Sequence, residues 1–268
     1  MSTDVHRRTT CRLCEGKDLE LTVHLEASAI VDDYIEEARL NQEQPSYPLD
    51  VFMCRSCGHS QLLDVVRPEV LYGNYIYVTT SSLGLVEHFK GYSEDVMQRI
   101  SPPKGSLIVD VGSNDGSLLR FFKAEGMTVL GVDPAKEISK AATASGIETH
   151  TAFFTSELGA QLKKDRGAAT IVTANNVYSH ADDLGDLTDG IRNILAPDGV
   201  FVFEVIYMID MIEKPLFDTI YHEHLSYISV RPVVKFFRRF DMEVFDVQRM
   251  EIHGGSLRLF VGRTGRRP

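Results

Sequence analysis

Tyr221-His222-Glu223-His224 places a phenol, two imidazoles and a carboxylate in four consecutive positions. Imidazole exchanges a proton near neutral pH, and a carboxylate can orient it and stabilise its charged form, so the cluster reads as acid/base machinery. In extended chain alternate residues share a face, which would pair Tyr221 with Glu223 or His222 with His224. A His-x-His pair with an acid could also hold a metal ion, but H-E-x-x-H spacing is absent and acid/base work is favoured. A second group of chemical interest is Val109-Asp110-Val111-Gly112-Ser113-Asn114-Asp115-Gly116-Ser117-Leu118-Leu119, followed by Gly131-Val132-Asp133-Pro134. An apolar strand runs into a Gly-rich turn, a helix opens, and a second strand ends in an acid, the outline of a nucleotide site. Gly112 and Gly116 can take φ > 0 and admit a ligand to the backbone, and Asp133 can accept from a ribose diol.

The turn reads G-S-N-D-G and lacks the middle glycine of a dinucleotide fingerprint. Asp110 and Asp115 would repel a pyrophosphate but suit a cationic sulfonium with an amino-acid tail. The loop therefore resembles motif I of class I S-adenosylmethionine (SAM) methyltransferases. Asp110, Gly112, Asn114, Asp115, Gly116, Asp133 and Pro134 form the expected cofactor set, with Asn175 and Asn176 at the end of a later strand. His180 lies just past that same strand, on the edge facing the methyl donor, where a histidine is as often a helix N-terminal residue as a catalyst. The Asn/Asp-Pro-Pro-aromatic motif of some DNA methyltransferases is absent there.

The chain's four cysteines form two C-x-x-C knuckles, Cys11/Cys14 and Cys54/Cys57. Four thiolates on one tetrahedral ion is the arrangement of structural Zn²⁺, and a closed Cys₄ shell leaves no position for catalysis. Disulfides are the alternative. Met1–Thr10 is polar and unlike a signal peptide, so a cytoplasmic location is expected, where disulfides are rare. Arg12, Arg55 and His59 beside the knuckles read as a solvated rim.

The elements that must position these groups follow from periodicity. Strands are expected at Leu107–Val111, Thr128–Val132, near Glu148–Ala152, at Thr170–Ala174 and at Gly199–Val205. Helices are expected near Ser117–Ala124, Ala135–Ser145, Ser156–Lys164 and Asp182–Leu195, the last closed by Ala196-Pro197-Asp198-Gly199. A helix at Val230–Arg239 precedes strands at Glu243–Val247 and Ser256–Val261. Strict β/α alternation implies a mostly parallel, Rossmann-like sheet of seven strands, with ligand at the carboxyl ends. The tyrosine-rich run Tyr72–Ser82 reads equally as a packed strand or hairpin and as a functional segment ahead of the core.

The chain has 268 residues, 43% of them hydrophobic, enough for one α/β core plus a small metal-supported module. A formal charge of −10 argues against a nucleic-acid partner. No apolar run approaches the ~20 residues that cross a bilayer. A monomer acting on a small molecule is expected.

Taken together, C-x2-C…C-x2-C, Y-x2-Y-x-Y-x3-S-S, D-V-G-S-N-D-G-S-L-L, G-V-D-P-A, A-N-N-V-Y-S-H-A-D-D-L, G-V-F-V-F-E-V, D-T-I-Y-H-E-H-L-S-Y and I-H-G-G-S-L-R resemble the SAM-dependent sugar C-methyltransferases that build branched deoxysugars for antibiotics. The resemblance runs from Cys11 to about Arg258. It implies a dTDP-linked 4-keto-deoxysugar as substrate, zinc on the cysteines, and Tyr221, Glu223 and His224 as catalytic or sugar-contacting groups, with His180 and Tyr75 close by. It implies a zinc-binding domain over 1–75 and a methyltransferase domain over 76–262. Family members continue into a C-terminal α/β domain, which would begin at the tail 263–268, so a fragment or a short member is expected. O- or N-methylation on the same fold and a SAM-binding module without turnover stay open. SAM-dependent modification of protein or tRNA is disfavoured by the acidic charge.

Overall fold

The computed structural model describes residues 4–31, 34–72, 77–82 and 84–266. Five short strands come first: β1 Val5–Arg7, β2 Leu19–Val23, β3 Val51–Cys54, β4 Ser60–Leu62 and β5 Asp64–Val66. Helices α1 Pro68–Tyr72 and α2 Leu85–Ile100 lead into β6 Leu107–Val111, α3 Ser117–Ala124, β7 Thr128–Val132, α4 Lys136–Ala144 and β8 Thr149–His150. The chain continues through α5 Ser156–Arg166, β9 Ala169–Asn175, α6 Leu184–Ile194, β10 Leu195–Ile206 and α7 Met208–Glu213. It closes with β11 Ser226–Tyr227, α8 Val230–Arg238, β12 Met242–Met250 and β13 Ser256–Arg263. Among the described residues no helix is long and apolar enough to cross a membrane.

Seven strands form one sheet in the order β12-β13-β10-β9-β6-β7-β8, parallel except for β13, which runs antiparallel between β10 and β12. Alternate side chains leave the central strands on opposite faces. Val109, Val111, Val172 and Phe203 pack with Leu187 and Ile191 of α6 and Phe236 and Phe237 of α8. Ile108, Ile171 and Val202 meet Phe89 of α2 and Leu118 and Phe122 of α3. From Leu107 onward the expected strands and helices are all present: β6, β7 and α3 keep their expected bounds and the others shift at their ends. β8 keeps two residues because its stretch offers little apolar surface to bury. α6 starts at Leu184, since the Asp183 side chain caps it by accepting from Asp186 N at 2.9 Å. β10 runs back through the expected Ala196–Gly199 turn to Leu195, with its register against β9 broken between Leu195 and Val200.

The N-terminal module contains a two-stranded sheet, β1-β5, and a four-stranded one, β11-β4-β3-β2. Its fourth strand is lent by the second half of the chain: Ser226 pairs with Gln61 and Tyr227 with Ser60. The rim reading of Arg12 and His59 is overturned. Arg12 is 4% exposed and His59 fully buried, because both sit where this borrowed strand closes over the knuckles, and His59 Nε2 lies 3.2 Å from Ser226 Oγ. Arg55 alone is solvated, paired with Glu20. The tyrosine-rich run forms no strand among its described residues. Tyr77 O accepts from Asn114 Nδ2 and Thr79 N donates to Asn114 Oδ1, so side-chain partners replace a strand ladder. Tyr75 lies outside the described residues.

Helices α5 and α6 approach so closely that a Cβ on Gly159 would lie 2.2 Å from the Gly190 carbonyl oxygen. Backbone cannot yield as a flexible side chain does. Gly159→Ala is expected to lower stability by about 1–3 kcal/mol through overpacking, read from urea unfolding. An unchanged midpoint would show that the two helices separate at no cost.

Candidate active site

The Gly-rich turn follows β6 directly. Gly112 has φ 69°, and a Cβ there would lie 2.3 Å from Val177 Cγ2, so this position admits no side chain. Asp133, at the end of β7, folds the turn over itself: Oδ2 accepts from Asn114 N and Oδ1 from Ala135 N, both at 2.8 Å. Burial raises the Asp133 carboxyl above its usual value against these hydrogen bonds. Burial also pushes Asp110 up to about 7, opposed by the Thr173 hydroxyl that donates to it at 2.6 Å.

A cavity of about 590 Å³ opens at the carboxyl ends of the strands, within the roughly 300–1,000 Å³ range of small-molecule sites. Of the expected cofactor set, Asp110, Gly112, Asn114, Asp133, Pro134, Asn175 and Asn176 line it, and Asp115 and Gly116 do not. Asp115 instead accepts from Ser117 N and Oγ at the start of α3 and from Thr80 N, while Gly116 at φ 76° begins that helix. Ser113 Oγ, Asn176 Oδ1 and His180 Nε2 are buried without hydrogen-bond partners, and all three residues line the cavity. Orphaned polar atoms around an apolar hollow fit a polar ligand that supplies their partners.

Tyr221, Glu223, His224 and His180 line this same cavity. The chain turns at Tyr221–His224, with His224 N donating to Tyr221 O at 2.9 Å. Three-residue spacing therefore replaces strand alternation, and the His222–His224 pairing is excluded. His222 Nε2 lies 3.1 Å from Tyr47 O, buried away from the cavity. Tyr221 and His224 rings are 3.9 Å apart, and His180 and His224 rings 5.1 Å. His224 Nδ1 lies 2.7 Å from Thr219 O, which fixes the proton on Nδ1 and leaves Nε2 as the base. The orientation expected from Glu223 thus comes from a backbone carbonyl. Glu223 Oε2 lies 3.9 Å from His180 Nδ1. Burial lowers His224 to about 4 and His180 well below its ordinary value, so both imidazoles are neutral at neutral pH.

His253 also lines the cavity and was missed in the sequence. Its Nε2 is 3.1 Å from Asn176 Nδ2, and it sits at φ 53° ahead of Gly254 and Gly255. A histidine held between a strand end and two glycines was the available signal.

In the N-terminal module the four cysteine sulfurs lie within 4.8 Å of one another, the only such His/Cys/Asp/Glu group among the described residues. Cys11–Cys57 and Cys14–Cys54 sulfurs are 3.7 and 3.5 Å apart, close to the ~3.8 Å edge of a tetrahedron with Zn–S bonds of about 2.3 Å. They are too far apart for disulfides, and the donor set fits zinc.

The sheet order, the antiparallel β13 and the cavity at the strand ends define a class I methyltransferase fold. The chain belongs to the methyltransferase-domain family: the model described as "Methyltransferase domain" matches residues 86–247, and one described as "Putative zinc binding domain" matches residues 11–72. The C-methyltransferase NovU of Streptomyces niveus is 33% identical over 250 residues, 93% of this chain and 60% of that protein. The ubiquinone biosynthesis O-methyltransferase of Ralstonia nicotianae is 24% identical over 115 residues, 42% of this chain and 48% of that protein. The matched regions therefore span less than two thirds of either relative. Magnesium protoporphyrin IX methyltransferase (ChlM) from Synechocystis, solved with bound SAH, superposes with a TM-score of 0.53 at 15% identity, over 72% of this chain and 91% of that one. A SAM-dependent methyltransferase from Anabaena variabilis gives 0.54 at 16% identity, over 72% and 90%.

The buried histidines tie stability to pH. A histidine whose folded value lies below its unfolded value near 6.5 contributes fully above about pH 6.5 and loses that contribution as pH falls, because only the unfolded chain takes up the proton. His59, lowered to about 3 by burial, and His224, His180 and His222 all act in this sense. His253, lowered by burial as well, joins them; Asp110 and Asp133, raised in the fold, act oppositely, but five imidazoles outweigh two carboxyls. The urea midpoint is expected to fall from pH 7 to pH 5. A flat or rising midpoint would contradict this sum.

Proposed function

We propose that the chain is a SAM-dependent C-methyltransferase acting on the carbon next to the ketone of a dTDP-linked 4-keto-deoxysugar. The carrying observation is the convergence of the Gly-turn loop, Asp133 and the Tyr221/Glu223/His224/His180 group on one cavity. The 33% identity to a protein named as a C-methyltransferase supports the reading. Residues 1–75 are read as the zinc-binding unit and 76–262 as the methyl-transfer unit, with β11 lent by the second to the first.

SAM, when bound, supplies an electrophilic methyl group. Asp133 keeps acceptor sites beyond its two backbone bonds for a ribose diol, and Asp110 beside a cationic ligand returns to its charged form. His224 Nε2, neutral and free of the Thr219 contact, takes the proton from the carbon next to the ketone. Negative charge then grows on the ketone oxygen, and His180 and Tyr221 are the candidate donors to it. Glu223, close to His180, offsets positive charge that accumulates on the imidazoles. The carbanion equivalent attacks the methyl carbon in line as the S–CH3 bond breaks, its electron pair leaving on the sulfur of S-adenosylhomocysteine, while the cavity's close holding of the two reactants replaces a high concentration.

The test is incubation of the 268-residue chain with SAM and a dTDP-4-keto-6-deoxysugar, and in parallel in D₂O, followed by mass spectrometry. Methylated sugar and deuterium exchange next to the ketone are expected. Methylation at oxygen or nitrogen, or SAM binding without either signal, would replace the proposal with one of the competing readings. His224→Asn is expected to lower both signals about 10²–10⁴-fold while leaving SAM affinity unchanged. Asp133→Ala is expected to weaken SAM binding by about 1–3 kcal/mol in calorimetry. Full turnover in the first variant removes His224 from the base role, and unchanged affinity in the second removes Asp133 from the cofactor site.

A further inference from the structure

Arg12 lies inside the first cysteine knuckle yet reaches both loops that carry the proposed chemistry. Its own N–H donates to Gln61 Oε1 at 3.1 Å and its Nη1 to the same oxygen at 3.2 Å. Nη1 also donates to Leu62 O and, at 3.3 Å, to Leu225 O, the residue after His224 and 213 positions along the chain. Nε donates to Asp182 Oδ1 at 3.1 Å, two residues after His180. The two loops meet directly through Ser226 N and Ser179 O, 3.1 Å apart.

From these contacts we infer that Arg12 is a positioning residue: a single guanidinium, anchored in the Cys11–Cys14 turn, sets the spacing of the His180–Asp182 and Tyr221–Leu225 segments. Charge balance does not require it. Asp182 keeps Arg8 Nη1 at 3.0 Å and His6 Nε2 at 3.1 Å without Arg12. What Arg12 alone provides is a rigid planar fork whose separate N–H groups bond an acid in one loop and a carbonyl at the end of the other. A lysine at this position carries the same charge on one point and cannot span both. The Cys₄ module is thereby coupled to the alignment of His180 and His224, whose rings are 5.1 Å apart.

The effect on turnover rests on the proposed function, whereas the effect on imidazole geometry does not. The full chain, loaded with zinc, is compared with Arg12→Lys by zinc content, SAM calorimetry and nitrogen-15 NMR of the histidine rings. Zinc content and SAM affinity are expected to be unchanged, the Nδ1-protonated signature of His224 weakened, and the His180 signals shifted. With the dTDP-4-keto-6-deoxysugar, kcat is expected to fall about 10²-fold at constant KM for SAM, the scale of an ångström of misplacement. Imidazole spectra identical to the unmodified protein overturn the inference, as does a loss of turnover that only tracks loss of zinc. If Arg12→Lys does not fold, Asp182→Ala decides, because it removes the acceptor of one arm at a partly exposed carboxylate. Shifted His180 signals with unshifted His222 support the inference, and unshifted His180 signals sink it. Normal turnover in His224→Asn beside shifted rings in Arg12→Lys would end the catalytic reading and leave the positioning role standing.

Discussion

The placement of Tyr221, Glu223 and His224 at the cavity depends on one pairing, that of β11 with β4. Ser226 and Tyr227 are held in register against Gln61 and Ser60, and Leu62 N donates to Leu225 O at 3.0 Å. The turn immediately before this strand carries Tyr221, Glu223 and His224. A turn has no hydrogen-bonded ladder of its own, so its side chains are only as well placed as the strand that anchors it. A two-residue strand is weak alone. It is held because it closes over residues that are themselves buried, His59 and Arg12 among them.

A second constraint is a buried charge network beside the cavity lining. Glu204, 2% exposed at the end of β10, lies between His88 Nε2 at 2.6 Å and Arg258 Nε at 2.7 Å, and Arg258 continues to Asp95 at 2.9 Å. His88 and Asp95 belong to α2, so this network pins the helix to β10 and β13. Removing one partner from such a cluster strands the other in low dielectric, at a cost of about 3–5 kcal/mol. The Glu204 carbonyl also receives Asn176 N at 2.8 Å, and thus the strut reaches the cavity lining through the backbone.

What was legible in the sequence was local. Apolar strands, the Gly-rich turn and the β/α alternation leave periodic marks that no distant contact overrides, and the paired knuckles announce their own convergence. Long-range closure left no such mark. Arg12 and His59 read as rim because polarity beside a metal knuckle is usually solvated, and only β11, far along the chain, buries them. His222 and His224 separated because a turn, invisible in the residue pattern, set the spacing. Thr79 and Tyr77 escaped the strand their composition favoured because Asn114 captured their backbone. His253 depended on a left-handed backbone ahead of two glycines, a conformation composition alone does not announce.

The antiparallel β13 carries a consequence for how the molecule is made. It lies between β10 and β12, so β12, although synthesised earlier, has no neighbour in the sheet until residues Ser256–Arg263 arrive. During vectorial synthesis on the ribosome the half-built sheet therefore exposes one open edge at β10 and leaves β12 a stray strand, both templates for pairing with another nascent chain. Closure is an insertion rather than an addition at the border. The exposure of β10 ends once β13 bridges it to β12.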